Sequence, residues 1–111
     1  MSTQKFTLRE LEKHTRQGES KQILLGLNGN VYDVSKGAVF YGPGNAYSVF
    51  AGRDCTIGLA KRSLLRNVMP GPGDAPTSID SLSEDERNTV LAWEARLQEK
   101  YPVIGMLVKE D

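Results

Sequence analysis

The run Gln22-Ile23-Leu24-Leu25-Gly26-Leu27-Asn28-Gly29-Asn30-Val31-Tyr32-Asp33-Val34 constrains the fold more than any other stretch. Asn28-Gly29 stands between two apolar segments. A type I′ turn needs positive φ at both central residues, and Asn-Gly meets that need at low cost. The run therefore predicts an antiparallel hairpin, Gln22–Leu27 against Asn30–Val34. Val31 and Asp33 fall on one side of the returning strand, Tyr32 and Val34 on the other.

The hairpin delivers the chain into residues 35–45 (SKGAVFYGPGN), where three glycines and a proline predict irregular backbone. Ala46–Ala51 has room for one or two helical turns. Asp54 is placed to cap a second short helix, about Thr56 to Leu65. Three of the four tyrosines and the only cysteine lie between Gly29 and Leu64. Loosened backbone beside aromatic side chains suits a pocket wall. The expected ligand is flat and apolar, with a tyrosine aimed at it.

Both flanks carry helix-start signals. Thr7-Leu8-Arg9-Glu10 reads as a capping box, with Phe6 as its hydrophobic staple, opening a helix from Leu8 to about Arg16. Residues 1–6 are read as a lead-in, and residues 17–20 (QGES) as the helix end. Ser83-Glu84-Asp85-Glu86 is a second box, with three acids where the helix dipole favours them. That helix is expected to reach Lys100 and to bury Val90, Leu91, Ala92, Trp93 and Leu97. Pro102 ends it, and Val103–Val108 is the last expected strand. Residues 68–78, with three prolines, form a surface loop. At 111 residues the whole chain, 1–111, reads as one domain.

Fourteen basic and fourteen acidic side chains cancel, which removes the usual electrostatic case for nucleic-acid binding. One cysteine cannot form an internal disulfide and fits a reducing compartment. There is no Cys/His cluster pointing to zinc. The N-terminal residues show no apolar signal region, and no run approaches a membrane span.

Tyr41 and Tyr47 have two readings. They are ordinary half-buried aromatics, or one supplies a phenol hydrogen bond or a phenolate to ferric iron. The phenolate needs a pKa well below about 10, which iron or a nearby cation would bring about. Lys100-Tyr101 is a solvated lysine beside a helix-end aromatic, or a rim of the same pocket with Lys100 toward an anionic group. His14, the only histidine, is expected to be solvated, and cannot alone supply bis-imidazole ligation. Cys55 reads as a small buried hydrophobe. Residues 42–45 (GPGN) lack the phosphate-loop pattern, and nothing marks a catalytic triad.

Taken together, residues 28–37 (NGNVYDVSKG), 40–54 (FYGPGNAYSVFAGRD) and 58–64 (GLAKRSL) resemble the membrane-associated progesterone receptor family. The likeness extends from Phe6-Thr7 and Glu10-Leu11 to Trp93-Glu94 and Lys100-Tyr101, roughly residues 6 to 108. It implies an α+β, cytochrome b5-like haem/steroid-binding fold, a small mixed sheet with short helices forming a cleft. It also implies haem b held without the two histidines of ordinary cytochromes b5. By position Tyr47 matches the iron ligand and Tyr41 a pocket tyrosine. Lys100 and Tyr101 match the opposite rim, and Tyr101 is the second candidate ligand. Haem ligated from one side leaves a face for a second protomer, giving a haem-mediated homodimer, or for a cytochrome P450. The implied role is non-enzymatic: haem handling or support of P450-linked sterol metabolism. The other roles open to it are a sterol-like ligand without iron, or a haemless interaction domain. The expected location is cytoplasmic or peripheral to the endoplasmic reticulum, since the family's usual N-terminal membrane helix is not seen. Two local departures stand out. Residues 42–47 read GPGNAY where members more often carry GPEGPY, and Lys61-Arg62 replaces residues that are commonly apolar.

Overall fold

The computed structural model describes residues 4–14, 22–42, 44–63 and 69–110. The hairpin forms as the sequence predicts. Strands β2 (Leu24–Leu27) and β3 (Asn30–Asp33) pair antiparallel, with Leu25 opposite Tyr32. Asn28 and Gly29 take φ of 50° and 81°, the left-handed pair that a type I′ turn requires. Strand β4 (Val103–Leu107) adds antiparallel to β3, with an irregularity between Val31 and Tyr32.

A fourth strand was not expected. Gln4–Phe6, read as a lead-in, forms β1 and pairs parallel to β4, Gln4 opposite Gly105. The sheet order is β1-β4-β3-β2. This small mixed sheet with short helices is the α+β arrangement the sequence implies.

Alternation along the strands gives the sheet two buried faces. Phe6, Leu24, Val31 and Leu107 pack with Leu8 and Leu11 of helix α1 (Leu8–Leu11) on one face. Ile23, Leu25, Leu27, Tyr32 and Val34 face the remaining helices. The Thr7–Glu10 capping box is present. Helix α1 ends at Leu11, and the expected extension beyond His14 lies outside the described residues. His14 is half-buried, not solvated: its ring meets Phe6 edge-on at 6.1 Å, and burial lowers its pKa.

The stretch expected to be irregular instead makes a 3₁₀ turn, Ser35–Gly37, and helix α2, Ala38–Tyr41. Two of its three glycines sit at the ends of α2: Gly37 is the N-cap and Gly42 the C-cap, whose N–H donates to the Ala38 carbonyl. They bound the turn of helix and do not break it. Ser48–Phe50 is a 3₁₀ turn, as expected of that segment.

Helix α3 spans Thr56–Ala60, with Cys55 and not Asp54 at the N-cap; the expected Leu64 and Leu65 lie outside the described residues. Fully buried Asp54 ties this region together. Its carboxylate accepts from Thr56 N (3.2 Å), Thr56 Oγ1 (2.6 Å) and Thr77 N (2.8 Å). Cys55 is buried as expected, its thiol against the Gly26 carbonyl at 2.9 Å.

Helix α4 runs Glu84–Lys100 from the predicted Ser83–Glu86 capping box. Only Val90 and Leu97 of its expected core residues are buried, while Trp93 is half-buried and Leu91 and Ala92 are exposed. At 100° per residue, Leu91 and Ala92 turn away from the face shared by Val90, Trp93 and Leu97.

Candidate functional site

The cleft lies between α2, the Ser48–Phe50 turn, α3 and α4. Each aromatic side chain reaches it for a local reason. Tyr41 is the last residue of α2, and Tyr47 the N-cap of the turn that follows. Tyr101 is the C-cap of α4, its N–H donating to Leu97 O at 2.8 Å. Trp93 and Leu97 lie one turn apart on α4, so both reach the same face.

The structure brings all four predicted positions to one hollow of about 170 Å³: Tyr41, Tyr47, Lys100 and Tyr101 line it with Trp93 and Leu97. Tyr41 stands between the other two phenols, with ring centroids 6.1 Å from Tyr47 and 6.3 Å from Tyr101. Tyr47 stacks on Phe50 at 5.8 Å and meets Trp93 edge-on at 6.3 Å. Beyond that pair a second hollow, about 230 Å³, opens between Tyr47, Trp93, Gly58 and Leu59. Tyr47 and Trp93 line both, so a ligand larger than either hollow would lie across these two rings.

The three phenols are not equivalent. Tyr41 is 5% exposed, and burial pushes its pKa well up, which keeps it a neutral phenol. The Tyr101 hydroxyl is tucked against Gly37, where a Cβ would collide with it. Tyr47 is half-buried and central to both hollows. Lys100 is exposed at the rim. Lys61 pairs with Glu86 at 2.8 Å, as befits a solvated helix face. The structure adds Trp93, Arg96, Leu97 and Phe40 to the lining, none of which was singled out for the site from the sequence. The signal was the spacing Trp93, Arg96, Lys100, one face of a well-capped helix.

Among the described residues no group of three His, Cys, Asp or Glu side chains is placed to hold a metal. The oxygen donors in the cleft are phenols, set in an aromatic wall with cations at its edge. That donor set fits an anionic, hard-donor haem site of the kind tyrosine provides.

A small mixed sheet, backed by short helices that hold a tyrosine-lined cleft among them, is the arrangement that the family resemblance implies. Residues 7–107 match the cytochrome b5-like heme/steroid binding domain, and the chain belongs to that family, with the membrane-associated progesterone receptors. It is 39% identical over 103 residues to the Arabidopsis thaliana "Probable steroid-binding protein 3", covering 93% of this chain and 97% of that one. It is 36% identical over 109 residues to the human membrane-associated progesterone receptor component 2, covering 98% of this chain and 47% of that one. "Cytochrome P450 regulator dap1" of Schizosaccharomyces pombe is 36% identical over 105 residues, covering 93% of this chain and 62% of that one. The chain thus spans about half the length of some of the relatives it matches. A solved Arabidopsis thaliana protein with a cytochrome b5 like fold superposes with a TM-score of 0.82 at 37% identity, covering 96% of this chain and 93% of that one. Among the described residues no helix is long and apolar enough to cross a membrane.

Proposed function

We propose that the cleft binds ferric haem b, with Tyr47 as the iron ligand and Tyr41, Lys100 and Tyr101 as the surrounding contacts. One observation carries this: Tyr47 lines both hollows and lies at the centre of the aromatic wall. Tyr41, held neutral by burial, suits a hydrogen-bonding wall and not an anionic ligand. Tyr101 spends its hydroxyl end against Gly37, which ranks it behind Tyr47. When bound, haem ligated by phenolate supplies a ferric centre of low reduction potential, suited to holding haem and not to rapid electron shuttling. The protein's own part is to orient the ring with Trp93 and Tyr47 and to leave one side open to a second copy or a P450-type partner. This role is non-enzymatic, at a location cytoplasmic or peripheral to the endoplasmic reticulum membrane, a choice supported by relatives named membrane-associated. The relative named a P450 regulator supports that choice of partner.

A neutral sterol-like ligand is the second reading, favoured by relatives named steroid-binding and by the aromatic lining. Titration with ferric haem and with a neutral sterol, each followed by quenching of the single tryptophan, Trp93, separates them. Saturable uptake of haem with a tyrosinate-type spectrum supports the first. Sterol uptake with no haem uptake replaces it with the second.

A further inference from the structure

A third hollow, about 390 Å³, adjoins Trp93 and is walled by Arg62, Thr89, Ala92 and Arg96. Thr89, Ala92, Trp93 and Arg96 follow one another at spacings of three, one and three, so they share a face of α4. Arg62 comes from the turn after α3, on the other side. Its φ of 54° is a left-handed backbone that side chains other than glycine and asparagine rarely adopt. The Arg96 guanidinium lies 5.4 Å from the Trp93 ring centroid, which holds it at the cleft edge.

Among the described residues, neither arginine takes part in an ion pair. Of the acids on this part of α4, Glu86 is engaged with Lys61 at 2.8 Å, while Asp85 and Glu99, on the same side of the helix as Arg96, form no ion pair with either arginine among the described residues. Thr89 donates its hydroxyl to the Asp85 carbonyl at 3.1 Å, so it is wall and not donor. Two unneutralised guanidiniums thus border an aromatic cleft whose hollows share Trp93. Guanidinium binds carboxylate through paired, charge-assisted hydrogen bonds, and a neutral sterol offers it nothing comparable.

We propose that Arg62 and Arg96 form a carboxylate clamp, and that the ligand is therefore a planar ring bearing acid groups, such as a porphyrin dicarboxylate. The inference rests on the reading of the cleft as a haem site, but not on the iron ligand. The test uses metal-free protoporphyrin IX and its dimethyl ester, titrated into the full chain with Trp93 quenching and porphyrin absorbance as readouts. Wild type, Arg62→Gln, Arg96→Gln and the double variant are compared, with far-UV circular dichroism checking the fold. The acid is expected to bind at least tenfold more tightly than the ester. Each single variant should lose about three- to tenfold for the acid, an exposed charge-assisted bond being weaker than a buried one, and clearly less for the ester, which keeps only the packing part of these side chains. Raising salt should weaken the acid alone. Equal binding of acid and ester, or a double variant that binds the acid like wild type, overturns the clamp. Because this porphyrin carries no iron, a wrong choice of Tyr47 leaves the outcome unchanged and shows only in haem spectra. If wild type takes up neither haem nor protoporphyrin, the clamp and the haem reading both fall.

Discussion

Gly37→Ala tests how Tyr101 is seated at the cleft. Gly37 has φ −98° and ψ 30°, so the backbone itself does not demand glycine. What excludes a side chain is Tyr101: an added Cβ would collide with its hydroxyl oxygen and lie 3.0 Å from Cζ and 3.3 Å from Cε1. Where the conformation permits, Gly→Ala stabilises by about 0.4–1 kcal/mol through the unfolded state. Forcing atoms into a packed contact costs about 1–3 kcal/mol. Taking the middle of each range, about 2 and about 0.7 kcal/mol, the net expectation is a loss of about 1.3 kcal/mol. Tyr101→Phe removes the worst contact. In that background Gly37→Ala is expected to be neutral or slightly stabilising, a coupling of about 1–2 kcal/mol between the two sites. Urea unfolding of the four proteins, with unchanged m-values, measures it. A Gly37→Ala protein as stable as wild type, or one whose cost Tyr101→Phe leaves unaltered, would refute the seating of Tyr101 against this glycine.

Three further outcomes follow from the same packing. Gly105→Ala is expected to be worse than Gly37→Ala, at about 3 kcal/mol or more, because its Cβ would meet the backbone carbonyl of Gln4 and lie 2.7 Å from Phe6 Cε2; thermal melts compare the two. Asp54→Ala strips the acceptor from Thr56 and buried-side Thr77 N–H, and is expected to cost about 3 kcal/mol in the same melts. Burial raises the folded-state pKa of both the Cys55 thiol and the Tyr41 phenol, so the unfolded chain gives up these protons first. Their contribution is intact below the unfolded values near 8.5 and 10 and lost as pH rises, by up to about 1.4 kcal/mol per pH unit for each group. Urea midpoints from pH 7 to 11 should fall in wild type and fall less in Tyr41→Phe; equal slopes would count against the burial effect at Tyr41.

Local chemistry made much of this fold legible. Asn28-Gly29 and the two capping boxes act over two to four residues, and each sits where the sequence places it. Strand β1 was not legible, because Gln4 finds its partner at Gly105, at the far end of the chain. Glycine content misread residues 35–42: a count of glycines does not say whether they cut a helix or cap it, and here Gly37 and Gly42 cap α2. The face of α4 was blurred by apolar neighbours, since Leu91 and Ala92 are adjacent to buried Val90 yet point away from it. For the site, residue chemistry alone reached a glycine-loosened pocket with tyrosines. The meeting of Tyr41 and Tyr47 with Lys100-Tyr101 came from family resemblance, as no local rule joins positions so far apart. Trp93 and Arg96 were missed because an aromatic at helical spacing reads as core until the opposing wall is seen to stand back from it.

A ferric haem titration of wild type, Tyr47→Phe and Tyr101→Phe most directly tests Tyr47 as the ligand at the centre of this cleft. A high-spin tyrosinate-type spectrum in wild type and Tyr101→Phe, lost in Tyr47→Phe, is the expected result. A spectrum unchanged by Tyr47→Phe but abolished by Tyr101→Phe would contradict it and move the ligand to the end of α4.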